Sequence, residues 1–334
     1  MVTLPQVRQA PWYPGQMGVS GSDVQRGLRW EPAGIVLYVD ENHPGASATA
    51  DGTDPEHPQT TIQQAITNLT NFATAMSCSL EGSVIVVAAE STPAESVIIP
   101  ATAPKNCTIL GAGDGINCPA WTAATATGVA LTIRQQGWTV DHILFRAGAG
   151  GQSIKLDWVP GSSYVGYRTT IQNCHFDGLW QGLYAINLYG APYDVVIRNN
   201  WFREWRKGDT TAYAIICTDS STANPYMCKI IGNWFEENEN HIGSLGNNKS
   251  FNVSLFQGNT FHDGVLITAT LMLDLRGGTQ GENTVTQNIF GGDYSNTGGY
   301  YANAGNPGNW VGNICEDVAE AEVADNGFSV AVPA

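Results

Sequence analysis

Carboxylates that follow a recurring aromatic residue are the side chains of this sequence best suited to chemistry. They stand one to three residues after a Phe, or after the Cys that replaces it in the last copy: Asp177, Glu204, Glu237, Asp263, Asp293 and Glu316. If consecutive copies stack, these acids line one long edge of the molecule. Glycoside hydrolases need two carboxyl groups, about 5–5.5 Å apart for retention of configuration or about 6.5–9.5 Å apart for inversion. One member of such a pair needs a raised pKa to act as the acid.

If the protein is an enzyme, its candidate catalytic residues are therefore Asp177, Glu204, Glu237 and Asp263. The same acids also fit solvated turns, where they do no more than end strands. The sequence favours the second interpretation, because six similar acids do not single out a catalytic pair. Enzymatic activity is left open, and its absence is favoured.

The segment FEENEN offers a second kind of chemistry, a calcium site. Glu236, Glu237 and Glu239 could supply the oxygen ligands that calcium prefers. The basic residues that a polysaccharide lyase would need precede them: Arg198, Arg203, Arg206 and Lys207. No lyase motif accompanies these residues, and the six His show no metal-ligand spacing. We therefore expect a mixed-charge loop here, with neither a metal ion nor a cofactor.

Two tryptophans offer a binding surface, because Trp201 and Trp234 each precede a repeated Phe. Exposed indoles would bind sugar rings or a partner protein, since an indole combines a broad apolar face with a polar edge. Buried indoles would only pack against a loop, which is the more common fate of Trp. The sequence leaves both open.

The aromatic residues themselves form a repeat with intervals of 25 to 33 residues. Its members are Phe145, Phe176, Phe202, Phe235, Phe261, Phe290 and Cys315. A second apolar residue stands five positions before each of them: Val140, Ile171, Ile197, Ile230, Phe256, Val285 and Trp310. Recurrence at 20 to 50 residues indicates a solenoid.

A turn must separate the two apolar residues of each unit, because an odd spacing would put them on opposite faces of a straight strand. Asn suits this turn, since it tolerates left-handed backbone and its amide bonds nearby backbone groups. An Asn lies two or three residues before most of the repeat positions: Asn173, Asn200, Asn233, Asn259, Asn288 and Asn313. Each unit is therefore predicted to be one coil of a parallel β-helix, with its Phe stacked on the next at ~4.8 Å.

The residues before the repeat predict how the coil begins. Ile35–Val39 is a predicted strand, and a loop rich in Asp, Gly and Pro follows it. Apolar residues at helical spacing predict a helix over Thr61–Met76, which Thr61 and Gln64 would start as a capping box. Short apolar strands separated by Gly, Pro and Asn turns come next.

These segments carry a resemblance to a known family. YVDENHPGASATADGTDPEHPQTTIQQAI and GSVIVVAAE…ESVIIP…NCTILGAGDG resemble the first part of the right-handed parallel β-helix superfamily, the pectate-lyase-like fold. The resemblance implies an all-β, single-stranded right-handed solenoid over residues 35–317, with a capping helix at about 60–77. Members of the superfamily include polysaccharide lyases and hydrolases, phage tailspikes and virion decoration proteins.

Composition excludes several classes of function. The 334 residues carry 15 Lys and Arg against 30 Asp and Glu, a net charge of -15, which argues against a nucleic-acid surface. The sequence contains no stretch of about 18 apolar residues, so we expect no membrane span. The N-terminal residues lack the apolar centre of a secretory signal. Of the seven Cys, Cys174 and Cys315 are expected to be reduced core thiols, whereas a Cys107–Cys118 disulfide is left open.

Residues outside the coil predict an attachment device. Residues 1–34 form an extended arm without apolar periodicity, and residues 318–334 form a C-terminal tail that caps the coil or pairs with another subunit. Residues 1–30 of the arm carry three Arg and one Asp, which makes them basic in an acidic chain and suits an acidic partner. The residues expected to bind that partner are Arg8, Trp12, Tyr13, Arg26, Arg29 and Trp30.

The sequence therefore favours a non-enzymatic structural protein of a bacteriophage virion. We expect a capsid decoration or cement protein, which binds the major capsid protein through the arm and forms a homotrimer. The alternative is a carbohydrate-active β-helix protein, either a tailspike or an extracellular polysaccharide lyase or glycoside hydrolase. That alternative requires a glycan partner and paired carboxylates on one edge of the coil.

Overall fold

The computed structural model describes residues 34–113, 117–157, 166–190, 192–207, 211–218, 224–244, 251–263, 271–275, 282–292, 301–302 and 309–315. The predicted arm, apart from its last residue, and the tail lie outside this set. So do six residues predicted to bind a partner: Arg8, Trp12, Tyr13, Arg26, Arg29 and Trp30. The acids Asp293 and Glu316 also lie outside it.

Three parallel sheets, here called A, B and C, form the body of the protein. The described strands of sheet A are Val36–Val39, Val84–Val87, Thr108–Gly111, Thr139–Asp141, Thr170–Gln172, Val196–Arg198, Lys229–Ile231, Leu255–Gln257, Thr284–Thr286 and Asn309–Val311. Those of sheet B are Ala120–Thr122, Leu144–Arg146, His175–Asp177, Trp201–Arg203, Trp234–Glu236, Thr260–Asp263, Ile289–Gly292 and Ile314–Cys315. Those of sheet C are Val97–Ile99, Val129–Ile133, Gln152–Asp157, Tyr184–Tyr189, Tyr213–Thr218, Asn240–Ser244, Leu271–Asp274 and Tyr301–Ala302.

From the strand Thr108–Gly111 onward the chain passes through the sheets in the order A, B, C, and the predicted right-handed parallel β-helix is confirmed. The repeated Phe is the middle residue of a short sheet B strand and pairs in register with the Phe of the next coil. The rings are fully buried, and successive centroids lie 4.7 to 5.1 Å apart from Phe145 to Phe290. The apolar residues five positions earlier pair in register from coil to coil in sheet A.

In the turn between sheets A and B, two successive residues carry the two roles that were predicted for a single Asn. The first residue has left-handed backbone, as at Asn173 (φ 52°) and Asn199 (φ 56°). The second is a buried Asn whose amide joins the coils: the backbone N–H and Nδ2 of Asn200 both donate to Oδ1 of Asn233, at 3.0 Å. The same pattern continues through Asn259, Asn288 and Asn313.

Asn173 does not belong to this ladder, although it has the left-handed backbone predicted for the turn. Cys174 occupies the ladder position in its coil, and its backbone N–H donates to Oδ1 of Asn200 at 2.9 Å. Asn173 instead takes the exposed left-handed position, where its amide donates to Asp141 at 2.9 Å. The two Asn positions differ by one residue, and only the register of the coils distinguishes them.

The predicted helix spans Ile62–Met76 and covers the first coils with Ile62, Ala65, Ile66 and Leu69. Oγ1 of Thr61 accepts the N–H of Gln64 at 3.2 Å, which is one half of the predicted capping box. The Gln64 amide does not complete the box and donates to the Ala48 carbonyl. The Glu95 carboxylate binds the first helical N–H groups instead, those of Ile62 at 2.7 Å and Gln63 at 3.1 Å.

Six cysteines are free thiols: Cys78, Cys107, Cys118, Cys174, Cys217 and Cys228. The side chain of Cys315 lies outside the described set. Cys174 is buried as predicted, and Cys107 and Cys118 do not form a disulfide. Burial raises the pKa of the Cys107 thiol to about 12. The described residues contain no helix with the length and apolar character that crossing a membrane requires.

Candidate functional site

The outer face of sheet B carries an open groove of about 1080 Å³. Side chains alternate along a strand, so the Phe of each strand points inward and its two neighbours point outward. The outward residues form two columns that run across the coils. The groove is built mainly from these residues: Arg146, His175, Asp177, Trp201, Arg203, Trp234 and Glu236.

The first column is aromatic, with His175, Trp201 and Trp234 in register. The rings of His175 and Trp201 stack with centroids 4.4 Å apart and planes within 5°. Burial is the main cause that lowers the pKa of His175 to about 4, so the ring is neutral at pH 7. Trp201 and Trp234 are 39% and 48% exposed, so they form a surface of exposed indoles and are not buried against a loop.

The second column alternates in charge, with Arg146, Asp177, Arg203 and Glu236 in register. Nη2 of Arg203 lies 3.4 Å from Oδ2 of Asp177. Oε2 of Glu236 accepts the indole N–H of Trp201 at 3.0 Å, so the two columns are hydrogen-bonded to each other. The guanidinium of Arg203 lies 5.5 Å from the centroid of the Trp201 ring.

The predicted acids do not form the single row that stacking was expected to give. Asp177 lies in the charged column and pairs with Arg203, whereas Glu204 and Glu237 stand one residue further along their coils. Both of these Glu residues have left-handed backbone at the end of the strand, with φ of 59° and 53°. Asp263 ends a described strand, and its side chain lies outside the described set.

Asp177 and Glu204 are the two candidates that the structure brings together. The same Arg203 nitrogen lies 3.4 Å from Asp177 Oδ2 and 3.5 Å from Glu204 Oε1. The two carboxylate oxygens are therefore within about 7 Å of each other, a range that includes the separations found in glycoside hydrolases. Burial raises the pKa of Glu204, with further contributions from Asp177 and Glu236, while Arg203 opposes the shift.

Both carboxylate oxygens of Asp177, however, already accept hydrogen bonds. Its Oδ1 accepts the backbone N–H of Leu179 at 3.1 Å, its Oδ2 binds Arg203, and only 6% of the residue is exposed. A carboxylate that attacks a sugar or activates water needs a free oxygen at the reacting atom. The contacts of Asp177 fit an organising role better than a catalytic one.

The three calcium candidates do not converge. Glu236 binds the Trp201 indole, while Oε2 of buried Glu239 accepts the backbone N–H groups of Lys207 at 3.2 Å and Ala212 at 3.4 Å. Within the described ranges, no group of three or more His, Cys, Asp or Glu is arranged to hold a metal ion.

Sequence reasoning missed one surface residue, Trp180, which lies beside the groove. It stands in the turn after the His175–Asp177 strand and is 40% exposed, as is Leu179. Its backbone N–H donates to the Glu204 carbonyl at 3.0 Å, which places it next to the charged column. The glycines on either side of this turn, Gly178 and Gly182, were the available sequence signal.

Comparison with known proteins adds the following findings. No family model matches the sequence, and no curated protein matches it. The crystal structure of Escherichia coli YbhC is similar in fold, with a TM-score of 0.45 and 10% identity over 98% of this chain and 88% of that chain. Similarity at this level says nothing about activity, so the function is argued from the groove alone.

Proposed function

We propose that this protein binds a saccharide on the outer face of sheet B. The observation that carries the proposal is the pair of exposed indoles, Trp201 and Trp234, beside a column of alternating charge. Sugar rings present flat apolar faces and hydroxyl edges. An indole packs against such a face, while carboxylates and guanidinium groups bond the hydroxyls.

The proposed activity is binding without hydrolysis. Asp177 and Glu204 lie within about 7 Å of each other, but Arg203 contacts both carboxylates and the Leu179 N–H occupies the remaining oxygen of Asp177. Hydrolysis by this pair would require both contacts to break. A carbohydrate-active protein of the tailspike type, which attaches to a glycan, fits these contacts better than a hydrolase or lyase.

Calorimetric titration against a small panel tests the proposal: hexamers of (1→4)-linked glucose and of (1→4)-linked galacturonate, and a bacterial O-polysaccharide. We expect one member to bind. We expect Trp234→Ala to weaken that binding about tenfold, which corresponds to roughly 1.4 kcal/mol of binding free energy. Tyr226→Ala is the matched control, because Tyr226 is also exposed but stacks on Tyr193 at the corner between sheets C and A. Absence of binding by the whole panel, or equal losses in both variants, contradicts the proposal.

A virion role is the second candidate, and it is favoured by one observation. Residues 1–30 carry three Arg against one Asp in a chain of net charge -15. We propose that this basic arm attaches a homotrimer to an acidic capsid surface. Such an arm is compatible with glycan binding, since a tailspike combines both. Sedimentation of the full chain and of a chain without residues 1–33 tests the assembly; a monomer in both cases contradicts it.

A further inference from the structure

The turn at residues 178–182 is a strained and exposed segment that the groove itself does not include. Leu179 and Trp180, its central residues, have left-handed φ of 51° and 59°. Such backbone is unfavourable for residues with a bulky side chain, so the surroundings must hold it in place. Both side chains are nevertheless 40% exposed. An apolar pair kept at the surface on strained backbone points to a contact with another molecule.

The following coil holds this turn through backbone hydrogen bonds. The N–H of Gly178 donates to the Arg203 carbonyl at 2.9 Å, and the N–H of Trp180 donates to the Glu204 carbonyl at 3.0 Å. The turn closes tightly at Gly182, where an added Cβ would lie 2.6 Å from the Trp205 ring. The backbone of Trp180 is therefore held in one conformation, which lowers the entropic cost when its side chain contacts a ligand.

The three exposed indoles are not equivalent. One face of Trp201 is covered by His175, its N–H is donated to Glu236, and Arg203 lies near its ring. Trp180 and Trp234 make no ring contact and no indole hydrogen bond with any residue in the described part of the chain. Trp201 is thus a fixed wall of the groove, whereas Trp180 and Trp234 have open faces on which a sugar ring can pack.

Asp177 connects this turn to the groove. Its Oδ1 holds the N–H of Leu179, and its Oδ2 holds Arg203, whose guanidinium lies beside Trp201. The N–H of Trp180 is bonded to the carbonyl of Glu204, which stands three residues beyond Trp201 on the next coil, so Trp180 is displaced from Trp201 along the direction of the chain. A ligand that touches both Trp180 and the aromatic column of the groove must therefore extend along the strand direction of sheet B.

We infer that Trp180 contacts the ligand of the proposed saccharide site, and that Asp177 is the positioning residue that fixes Trp180 relative to the groove. The inference rests on the proposed function for the nature of the ligand. The positioning of Trp180 by Asp177 does not depend on that function and can be tested without a ligand.

Fluorine NMR of protein labelled with 5-fluorotryptophan tests the positioning. Asp177→Ala removes both carboxylate contacts, so we expect the Trp180 and Trp201 resonances to shift and that of Trp234 to stay in place. Asp177→Asn can still accept the Leu179 N–H, so it should shift Trp201 and leave Trp180 nearly unchanged. Glu236→Gln is the matched control and should affect Trp201 but not Trp180. A Trp180 resonance that does not respond to Asp177→Ala overturns the positioning role.

Titration of the same saccharide panel with Trp180→Ala tests the contact. This variant changes only an exposed turn, so it does not depend on whether the Asp177 variants fold. We expect at least fivefold weaker binding of the saccharide that binds the wild type. If Trp234→Ala weakens binding and Trp180→Ala does not, the inference fails while the proposed function stands. If no panel member binds, the proposed function and the contact both fail, and the NMR result still decides the positioning.

Discussion

Each strand of sheet B has two environments, because its middle residue faces the interior while its neighbours face the groove. On the inside the same residue returns in coil after coil, and Phe145 to Phe290 stack with nearly constant spacing. On the outside His175 and Trp201 share one column with Trp234 but differ in their contacts and exposure. Only the interior is constrained by the repeat.

This difference shows what the repeat does and does not determine. A Phe fits above a Phe because identical rings fill identical slots in successive coils, and Asn sits above Asn because each amide completes the next. No such requirement acts on the outer face, where water fills any gap. Residues there can vary from coil to coil, and their arrangement can serve a ligand.

The largest contrast is expected between an interior and an exterior aromatic residue. Phe202→Ala removes a ring packed between two others at 4.7 and 4.9 Å and should lower the free energy of unfolding by about 3–5 kcal/mol. Trp234→Ala, in the next coil but on the outer face, should change it by less than about 1 kcal/mol. Urea denaturation measures both. Similar losses would show that the groove residues also support the coil.

Substitutions at the two Asn positions of the turn should also differ in their effect on stability. Asn233→Ala leaves the backbone N–H and amide of Asn200 without their acceptor, which should cost about 1–3 kcal/mol of stability. Asn199→Gly changes an exposed residue with φ of 56°, where glycine is unstrained, and should stay within about 0.5 kcal/mol of the wild type. Thermal unfolding of the two variants compares them; a larger loss at Asn199 would reverse the assignment.

Acidification should act on the outer face through His175. Between pH 6.5 and about 4 the unfolded chain binds a proton at His175 that the folded chain does not, so the free energy of unfolding falls as the pH falls. The contribution lost across this window is about 1–3 kcal/mol. His175→Phe keeps an aromatic ring but cannot bind the proton, so its stability should fall less between pH 7 and pH 5.

Urea denaturation at these two pH values measures the effect. Trp234→Phe is the control, because it changes an aromatic ring of the same column that carries no titratable group, and its pH dependence should match that of the wild type. If the free energy of unfolding of His175→Phe falls with pH as steeply as that of the wild type, this histidine is not kept neutral by the fold.

The smallest effect concerns the strain at Trp180. Trp180→Gly and Trp180→Ala both remove the indole and should weaken saccharide binding equally. Glycine adopts left-handed backbone without steric cost, so Trp180→Gly should be about 1 kcal/mol more stable than Trp180→Ala. Differential scanning calorimetry compares the pair. Equal stability would mean that the turn stores no strain.

The sequence predicted the interior well because the interior repeats. The spacing of the Phe residues located the sheet B strands, and the helical pattern located the helix to within one residue of Ile62–Met76. Asn173 was predicted as one set with the Asn residues of the ladder, because adjacent positions of the turn both accept Asn, as Asn199 and Asn200 show. Distinguishing them requires the register between coils, which no single coil contains.

The candidate site was only partly predictable, for the corresponding reason. Trp201 and Trp234 were found because they flank the repeated Phe. Asp177 was treated as equivalent to Glu204, since their distances from Phe differ by only one residue, although register pairs Asp177 with Arg203. Trp180 has no counterpart in other coils. Nothing in the sequence around it predicts left-handed backbone at a Trp.

Titration of the 5-fluorotryptophan protein with the saccharide panel tests the central claim most directly, because it observes the inside and outside of the coil together. We predict that the Trp180 and Trp234 resonances move progressively and saturate with one saccharide, while those of buried Trp121, Trp138 and Trp205 stay fixed. If no resonance moves with any saccharide, or the buried resonances move while those of Trp180 and Trp234 do not, the outer face of sheet B is not the binding site.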